Sequence, residues 1–459
     1  MEVVVQKYGG TSVGQADRMV NVASIIKQTL EQNQHVVVVL SAMSGRVKKE
    51  GTTSRLLEAA DEALKNGSYY RVVDLLEEHH LTVVKDAVSD RKIQAQLKEE
   101  INAELQQLKS FLDAIQVIGE ISARSQDVII GTGEKLSARI LAGVLNSQGV
   151  DADYINLETL VDKPFKEVNQ EFCLYLQQKL AEIVANCGSR VPIVTGYFGF
   201  VPNGIIKSVG RGYTDFTAAL IAAGIKAKEL QIWKEVDGIF SADPNKVPAA
   251  KVLDSITPEE ALELTYFGSE VIHPFTMEQV SRAMVPVRIK NTFDPTIRGT
   301  IIDPRATADE TRKGGTAVTV KRDVTLLNIH SNRMLMAYGF MFKVFDVFNR
   351  HEVVIDLIST SEVNISLTLD SNQNLEGAIA ELKDLGEVTV EKGMATISLV
   401  GQGMKRHPGI ARDMFTKLAE QGINIEVISQ GASEINISCA VKDSQSNRAL
   451  KAVHQLLED

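Results

Sequence analysis

Five short stretches of this chain bring charge, glycine and hydroxyl groups close enough together to do chemistry. In VVVQKYGGTSVG (residues 3–14) a valine run ends at Lys7, and Gly9, Gly10, Thr11 and Ser12 come next. Glycines without Cβ atoms let backbone N–H groups approach an oxyanion, the hydroxyls add donors, and the lysine adds fixed positive charge. That set suits a polyphosphate. The order is not that of a P-loop, in which the lysine follows the glycines and opens a helix. A plain strand-to-helix turn with an exposed lysine therefore stays open on this motif alone. GRGYTDFTAALIAAG (210–224) sets Arg211 between two glycines, just before a helix beginning near Thr214 and Asp215. A helix cap is the plain reading of those two residues. A guanidinium beside orphan N–H groups is also an anion site.

GTGEKLSARILAG (131–143) places Glu134 at what reads as another helix start, where a capping carboxylate is the simplest role. LQIWKEVDGIFSADPNKV (230–247) runs as a strand to Lys234 and Glu235 and then turns at Asp237-Gly238. Ligands of open α/β sheets bind beyond the carboxyl ends of strands, which makes a polar cluster there suggestive. Trp233 reads as core. LTYFGSEVIHPFTMEQ (264–279) carries His273 before a proline that opens a helix, which is a turn histidine rather than a general base.

The elements that must position these residues alternate. EVVVQKYGG and HVVVVLSAMSG are continuous apolar runs bounded by turn residues, the pattern of buried parallel strands. Between them Met19, Val22, Ile25, Ile26 and Leu30 recur at helical spacing, which completes a βαβ unit. A long helical region occupies roughly residues 53–118, and later strands, PVRIKNT and GTIID among them, close an α/β domain of about 300 residues. DPRATADETRKGG (303–315) has no periodicity and reads as a linker. After it lies an internal repeat: residues 344–369 and 414–441 each give a helix, a strand ending Ile-Ser, a turn and a second strand. With the strands preceding each helix, this is the ferredoxin-like βαββαβ plan, twice. Two copies suggest a paired regulatory module, with a structural tail as the alternative.

Composition excludes several classes. The 459 residues carry a net charge of −10, which disfavours a nucleic-acid partner. Cys173, Cys187 and Cys439 form no metal-binding spacing and read as reduced thiols of a cytoplasmic protein. The N-terminus shows no signal-peptide pattern, and no apolar stretch approaches the length of a membrane helix. No metal motif is present.

In their order along the chain, KYGGTSVG, GEKLSARIL, GRGYTDFTAAL, WKEVDGIFSADP, FGSEVIHP and the doubled C-terminal repeat resemble the aspartate kinases over essentially the whole sequence. The doubled repeat looks like a pair of ACT domains, which glutamate, carbamate and uridylate kinases of the same fold are not expected to carry. The resemblance implies an amino-acid-kinase-like α/β sandwich with a mostly parallel central sheet, followed by two ferredoxin-like ACT domains. The implied boundaries are 1–303 for the catalytic domain, 304–316 for a linker, and 317–391 and 392–459 for the ACT domains. The implied reaction is transfer of the γ-phosphoryl group of ATP, with Mg²⁺, to the β-carboxylate of L-aspartate.

By the same resemblance Lys7 reaches the ATP phosphates, Gly9, Gly10 and Ser12 cradle the phosphoryl group, and Asp215 holds the lysine or organises the site near Mg²⁺. Arg211 grips the α-carboxylate of aspartate, Glu134 pairs with its ammonium, and Ser41, Thr53 and Thr214 add hydroxyl contacts. Lys234, Glu235, Phe240 and Asn245 occupy nucleotide-contact positions. Lys234-Glu235 stands where many bacterial members have Thr-Asp, Asn245 where many have arginine, and Glu270 where many have lysine. A carboxylate with a reference pKa of about 4 is already ionised at neutral pH, so the reaction calls for no general base. It calls for positioning and for neutralisation of two anions brought together. Met334, Gly339, Phe340, Asp356, Ser361 and Glu362 match an effector pocket in the first ACT repeat. GRGYTD, WKEVDGIF and ISQGASEINIS look most like the fungal type, which makes threonine the first-choice effector and lysine the second. A homodimer or homotetramer through the ACT domains is implied. A kinase for another acidic amino acid such as glutamate, and a non-catalytic amino-acid sensor on a kinase fold, are the alternatives.

Overall fold

The computed structural model describes residues 2–458 except 46–49, 211, 267–271, 307–314, 335–337, 371–374 and 432–434. Arg211 and Glu270, both named as site positions, lie outside the described residues. The chain divides into two units, one of residues 1–239 and 272–305, the other of residues 240–271 and 306–459.

The first unit opens with β1 (Glu2–Tyr8), α1 (Ala16–Glu31), β2 (Gln34–Leu40), α2 (Thr52–Leu64), α3 (Tyr70–Ala87), α4 (Arg91–Ile118) and α5 (Ala123–Ser147). It continues through β3 (Ala152–Ile155), α6 (Gln170–Asn186), β4 (Val191–Thr195), the single turn α7 (Ile205–Ser208), α8 (Tyr213–Gly224) and β5 (Glu229–Lys234). After a segment belonging to the second unit, with β6 (Ser255–Ile256) and α9 (Pro258–Tyr266), it closes with α10 (Pro274–Arg282), β7 (Val287–Asn291) and β8 (Thr300–Ile302). Its sheet runs in the order β3-β4-β2-β1-β5-β7-β8. Every described pair is parallel except β7 with β8. Successive residues of β2, Val36 to Leu40, are all buried, so both faces of the strand are covered, as a parallel sheet requires. Helices α1 to α5 and the flanking strands share one large core cluster, while α8 packs against β1, β2 and β5 together with α6 and α10. The result is the α/β sandwich expected.

Register brings the strand ends level. Tyr8 lies opposite Leu40 and Trp233, and Trp233 opposite Lys290. The segments leaving β1, β2, β5 and β7 therefore meet along one edge of the sheet, where such folds bind ligands.

The second unit continues with β9 (Ala317–His330), α11 (Phe340–Arg350), β10 (Ile355–Thr360), β11 (Asn364–Asp370), α12 (Glu376–Leu382), β12 (Glu387–Val400), α13 (Ile410–Glu420), β13 (Val427–Ser429), β14 (Asn436–Lys442) and α14 (Ser446–His454). One antiparallel sheet runs β10-β11-β9-β12-β14-β13. The two ferredoxin-like modules share its two long central strands. The half of β9 at 324–330 pairs with β11 and with 387–391 of β12, whereas 317–320 pairs with 397–400. The cores separate accordingly. Leu327, Ile329, Phe340, Val344 and Leu367 belong to one, and Val318, Ile397, Leu399, Met414 and Leu450 to the other. A register shift between Glu391 and Met394, beside left-handed Gly393, divides β12. The position expected to separate two consecutive domains, 391/392, thus falls inside one strand.

Candidate active site

Lys7 is the penultimate residue of β1, and its ammonium lies 2.7 Å from the Asp215 carboxylate in the first turn of α8. Both side chains are 12% exposed, so the pair is desolvated but reachable. The chain then enters a tight 3₁₀ turn, Gly10–Val13. A Cβ on Gly10 would stand 2.4 Å from the carbonyl oxygen of Ala42, and one on Gly14 1.9 Å from that of Ser44, so both positions exclude side chains. Gly9 differs: a Cβ there would meet only Lys7 Nζ, at 3.8 Å. Space beside the lysine is open, which is what an incoming phosphate needs. The Ser12 hydroxyl, expected to cradle that phosphate, is buried and shares a 2.9 Å hydrogen bond with Thr292.

The turn is fastened from the other strand ends. Arg18 donates to the carbonyl of Thr11 at 2.6 Å and Asn21 to that of Thr292 at 2.7 Å. Asn291 donates to Asp237 at 2.7 Å, and the Thr292 N–H to the carbonyl of Lys234 at 2.8 Å. Sequence reasoning assigns Asn291 and Thr292 only to the end of a closing strand. Their polar side chains directly after an alternating run, in KNT, are the signal that could have found them.

Glu134 corrects a reading. It does not start a helix but sits in the middle of α5, which runs from Ala123 to Ser147. The glycines before it serve packing. A Cβ on Gly131 would stand 2.2 Å from the Tyr197 ring, and one on Gly133 2.8 Å from Ala42 and Thr52. Glu134 is fully buried, and its Oε1 accepts a 2.9 Å hydrogen bond from the Thr214 hydroxyl. Its Oε2 is buried and makes no hydrogen bond of good geometry among the described residues, with the Tyr213 hydroxyl and the Tyr197 backbone close to the carboxylate. Burial pushes this carboxyl up to about 8, while Thr214, Tyr213, the backbone at Tyr197 and the charge of Lys7 oppose the rise. Without a cation beside it, Glu134 is held mostly protonated at neutral pH. A cation placed on Oε2 would ionise it.

The remaining candidates fall into three groups. Ser41 comes just after β2, and its carbonyl accepts from Ser137, one turn beyond Glu134 on α5, at 2.8 Å. Thr53 lies half-buried in the first turn of α2. These stand with Lys7, Gly9, Gly10, Glu134, Thr214 and Asp215 in the first unit. Lys234 ends β5 half-buried, and Glu235 after it is exposed. Phe240 and Asn245 belong to the second unit, where Phe240 bridges to Val252 and the Asn245 N–H donates to Asp243 at 3.0 Å. His273 caps α10, its Nδ1 accepting from Phe275 at 3.3 Å, which is the turn role read from its sequence. Trp233 is buried and stacked on Tyr8, which makes it core.

In the second unit Gly339 is left-handed and caps α11, Phe340 is buried, and Met334 packs against the first module's core. Ser361 and Glu362 are exposed in the β10–β11 turn. Asp356 lies 2.7 Å from Lys321, which also reaches Asp370 at 3.0 Å.

Lys7, Gly9, Glu134 and Asp215 all belong to the first unit, whose parallel strands end along one edge. The amino acid kinase family model matches residues 2–291, and that of the ACT domain residues 397–457. The chain is 44% identical to the aspartokinase of Schizosaccharomyces pombe, over 99% of its own length and 93% of that protein's. It matches the structure of Escherichia coli aspartokinase III in complex with aspartate and ADP at a TM-score of 0.81 and 29% identity, covering 100% of both chains. The structure of the same enzyme with lysine and aspartate gives a TM-score of 0.80, with the same identity and coverage. The chain belongs to the aspartokinases.

Proposed function

We propose that this chain transfers the γ-phosphoryl group of ATP to the β-carboxylate of L-aspartate, giving 4-phospho-L-aspartate. The observation that carries this reading is the buried Glu134 carboxylate, without a salt bridge among the described residues and within electrostatic reach of Lys7. An α-ammonium on that carboxylate would neutralise Glu134 and hold the amino acid, while Lys7, positioned by Asp215, would stabilise charge on the phosphoryl group in flight. The nucleophile is the substrate's own carboxylate. One of its oxygens bonds to γ-phosphorus as the bond to the β–γ bridging oxygen breaks, and ADP leaves with that electron pair. No protein base enters the step. Mg²⁺, when bound, would neutralise nucleotide phosphate charge, with Asp215 the carboxylate available to organise it. Arg211 is proposed to hold the α-carboxylate.

The kinship with fungal aspartokinase supports an amino-acid effector acting on the second unit, threonine first and lysine second, the latter being the ligand seen with the E. coli enzyme. An effector ammonium there would share Asp356 with Lys321. Pairing of the second units into a homodimer or homotetramer belongs to the same reading. All three cysteines are buried and unbridged, which supports a cytoplasmic setting.

ADP release from Mg-ATP with aspartate, glutamate or no amino acid, each with and without threonine or lysine, tests this. Release that requires aspartate and falls with threonine is expected. Release with glutamate alone would overturn the substrate. Threonine binding without any release would overturn the activity.

A further inference from the structure

Asp127 has no part in the reaction just described, yet it is 1% exposed and shares one helical face with Glu134, seven residues earlier on α5. Between them on that face, Gly131 admits the ring of Tyr197. Both Asp127 oxygens receive the N–H of Ile205, at 2.9 and 3.0 Å. Ile205 opens the one-turn helix α7, and its own carbonyl accepts from the N–H of Val209 at 2.9 Å and of Gly210 at 3.1 Å. Farther along the chain, Thr214 returns to α5 by its hydrogen bond to Glu134. Ile205 at Asp127 and Thr214 at Glu134 thus tie the segments on either side of Arg211 to the same helix. The backbone entering α7 at Gly204 is left-handed, with φ 89°, so the chain reaches Asp127 through a conformation that favours glycine.

We infer that Asp127 is a positioning residue for the amino-acid substrate: it fixes the segment leading into α8 against α5, and thereby holds Thr214 on Glu134, the group that takes the ammonium. The inference rests on the proposed function and extends it to a residue that touches no substrate. The rigid helix α5 carries both attachments. At the first, a charged acceptor on a buried N–H gives a bond stronger than a neutral pair. Burial raises the Asp127 carboxyl to about 6, while the backbone at Ile205 and Val201 holds it down, so it is ionised at neutral pH. A plain helix-capping role would explain the bond to Ile205 but predicts only a loss of stability. The positioning role predicts a loss confined to one substrate, since Thr214 displaced from Glu134 weakens the hold on the amino acid in ground state and transition state alike and leaves the nucleotide untouched.

The test is steady-state kinetics of the full-length wild type, Asp127→Ala and Asp127→Asn at pH 7.5, varying aspartate and ATP separately, with thermal unfolding of each. The amide oxygen of asparagine still accepts from Ile205, so this variant is the rescue. The expected result is a KM for aspartate raised about tenfold or more in Asp127→Ala and less than about threefold in Asp127→Asn. In both, kcat and the KM for ATP stay within about twofold of wild type. Equal changes in both KM values, a fall in kcat alone, or an unchanged KM for aspartate in Asp127→Ala would overturn the inference. An Asp127→Ala chain that does not fold leaves the decision to Asp127→Asn, whose KM for ATP moving with that for aspartate would equally overturn it. If wild type releases no ADP in response to aspartate, the proposed function fails. If wild type responds and the variants keep its KM for aspartate, only the positioning role fails.

Discussion

The two carboxylates of the site are prepared in opposite ways. Asp215 meets solvent in part and already has a cation, Lys7, at 2.7 Å. Glu134 is sealed from water and has hydroxyl and backbone neighbours but no salt bridge among the described residues. On the phosphate side the charges are balanced before any ligand arrives, so the lysine is held in place for the moment charge moves. On the amino-acid side no salt bridge among the described residues neutralises Glu134, and the substrate itself would supply the positive charge. An unpaired buried carboxylate is costly and answers by taking up a proton. The difference teaches that one half of the site is built to stabilise a transition state and the other to select a ligand.

That contrast can be broken at either end. Removing the preset cation with Lys7→Ala should give the largest effect, a fall in kcat of about 10³-fold, with aspartate binding retained, measured by turnover and by direct titration of aspartate. Equal losses of turnover and of aspartate affinity would erase the distinction between the halves. Glu134→Gln keeps the shape and removes the charge. The KM for aspartate should rise about 10²-fold while that for ATP stays nearly constant. A smaller effect comes from pH. With the Glu134 carboxyl at about 8, its ionisation must accompany binding of the ammonium. Below pH 8 the KM for aspartate should therefore rise about tenfold for each unit that pH falls, and level off near and just above 8. A KM flat from pH 6.5 to 8 would mean that Glu134 is ionised before the ligand arrives.

Sequence shows the phosphate half more clearly than the amino-acid half, and the reason is range. The strand, the lysine and the Gly-Gly turn are contiguous, and the closeness of Gly10 to Ala42 comes from neighbouring strands. Glu134 misleads because GTG reads as a helix boundary, whereas those glycines are there to admit Tyr197, Ala42 and Thr52 from distant parts of the chain. Asp127 gives no local signal for the same reason: its partner, Ile205, lies 78 residues away. Ser12 is legible as a hydroxyl near phosphate but not as the partner of Thr292, 280 residues on. In the second unit the helix and strand types are readable from the repeat. The sharing of β9 and β12 between two modules is not, because strand pairing across a sheet leaves no local periodicity.

The most direct test of this account is calorimetric titration of the wild-type protein with L-aspartate at pH 7, in two buffers of different ionisation enthalpy. A carboxyl at about 8 that ionises on binding should release about 0.9 proton per aspartate bound, and Glu134→Gln should release none. Wild-type binding with no proton released would contradict the claim that Glu134 stays protonated until the substrate's ammonium reaches it.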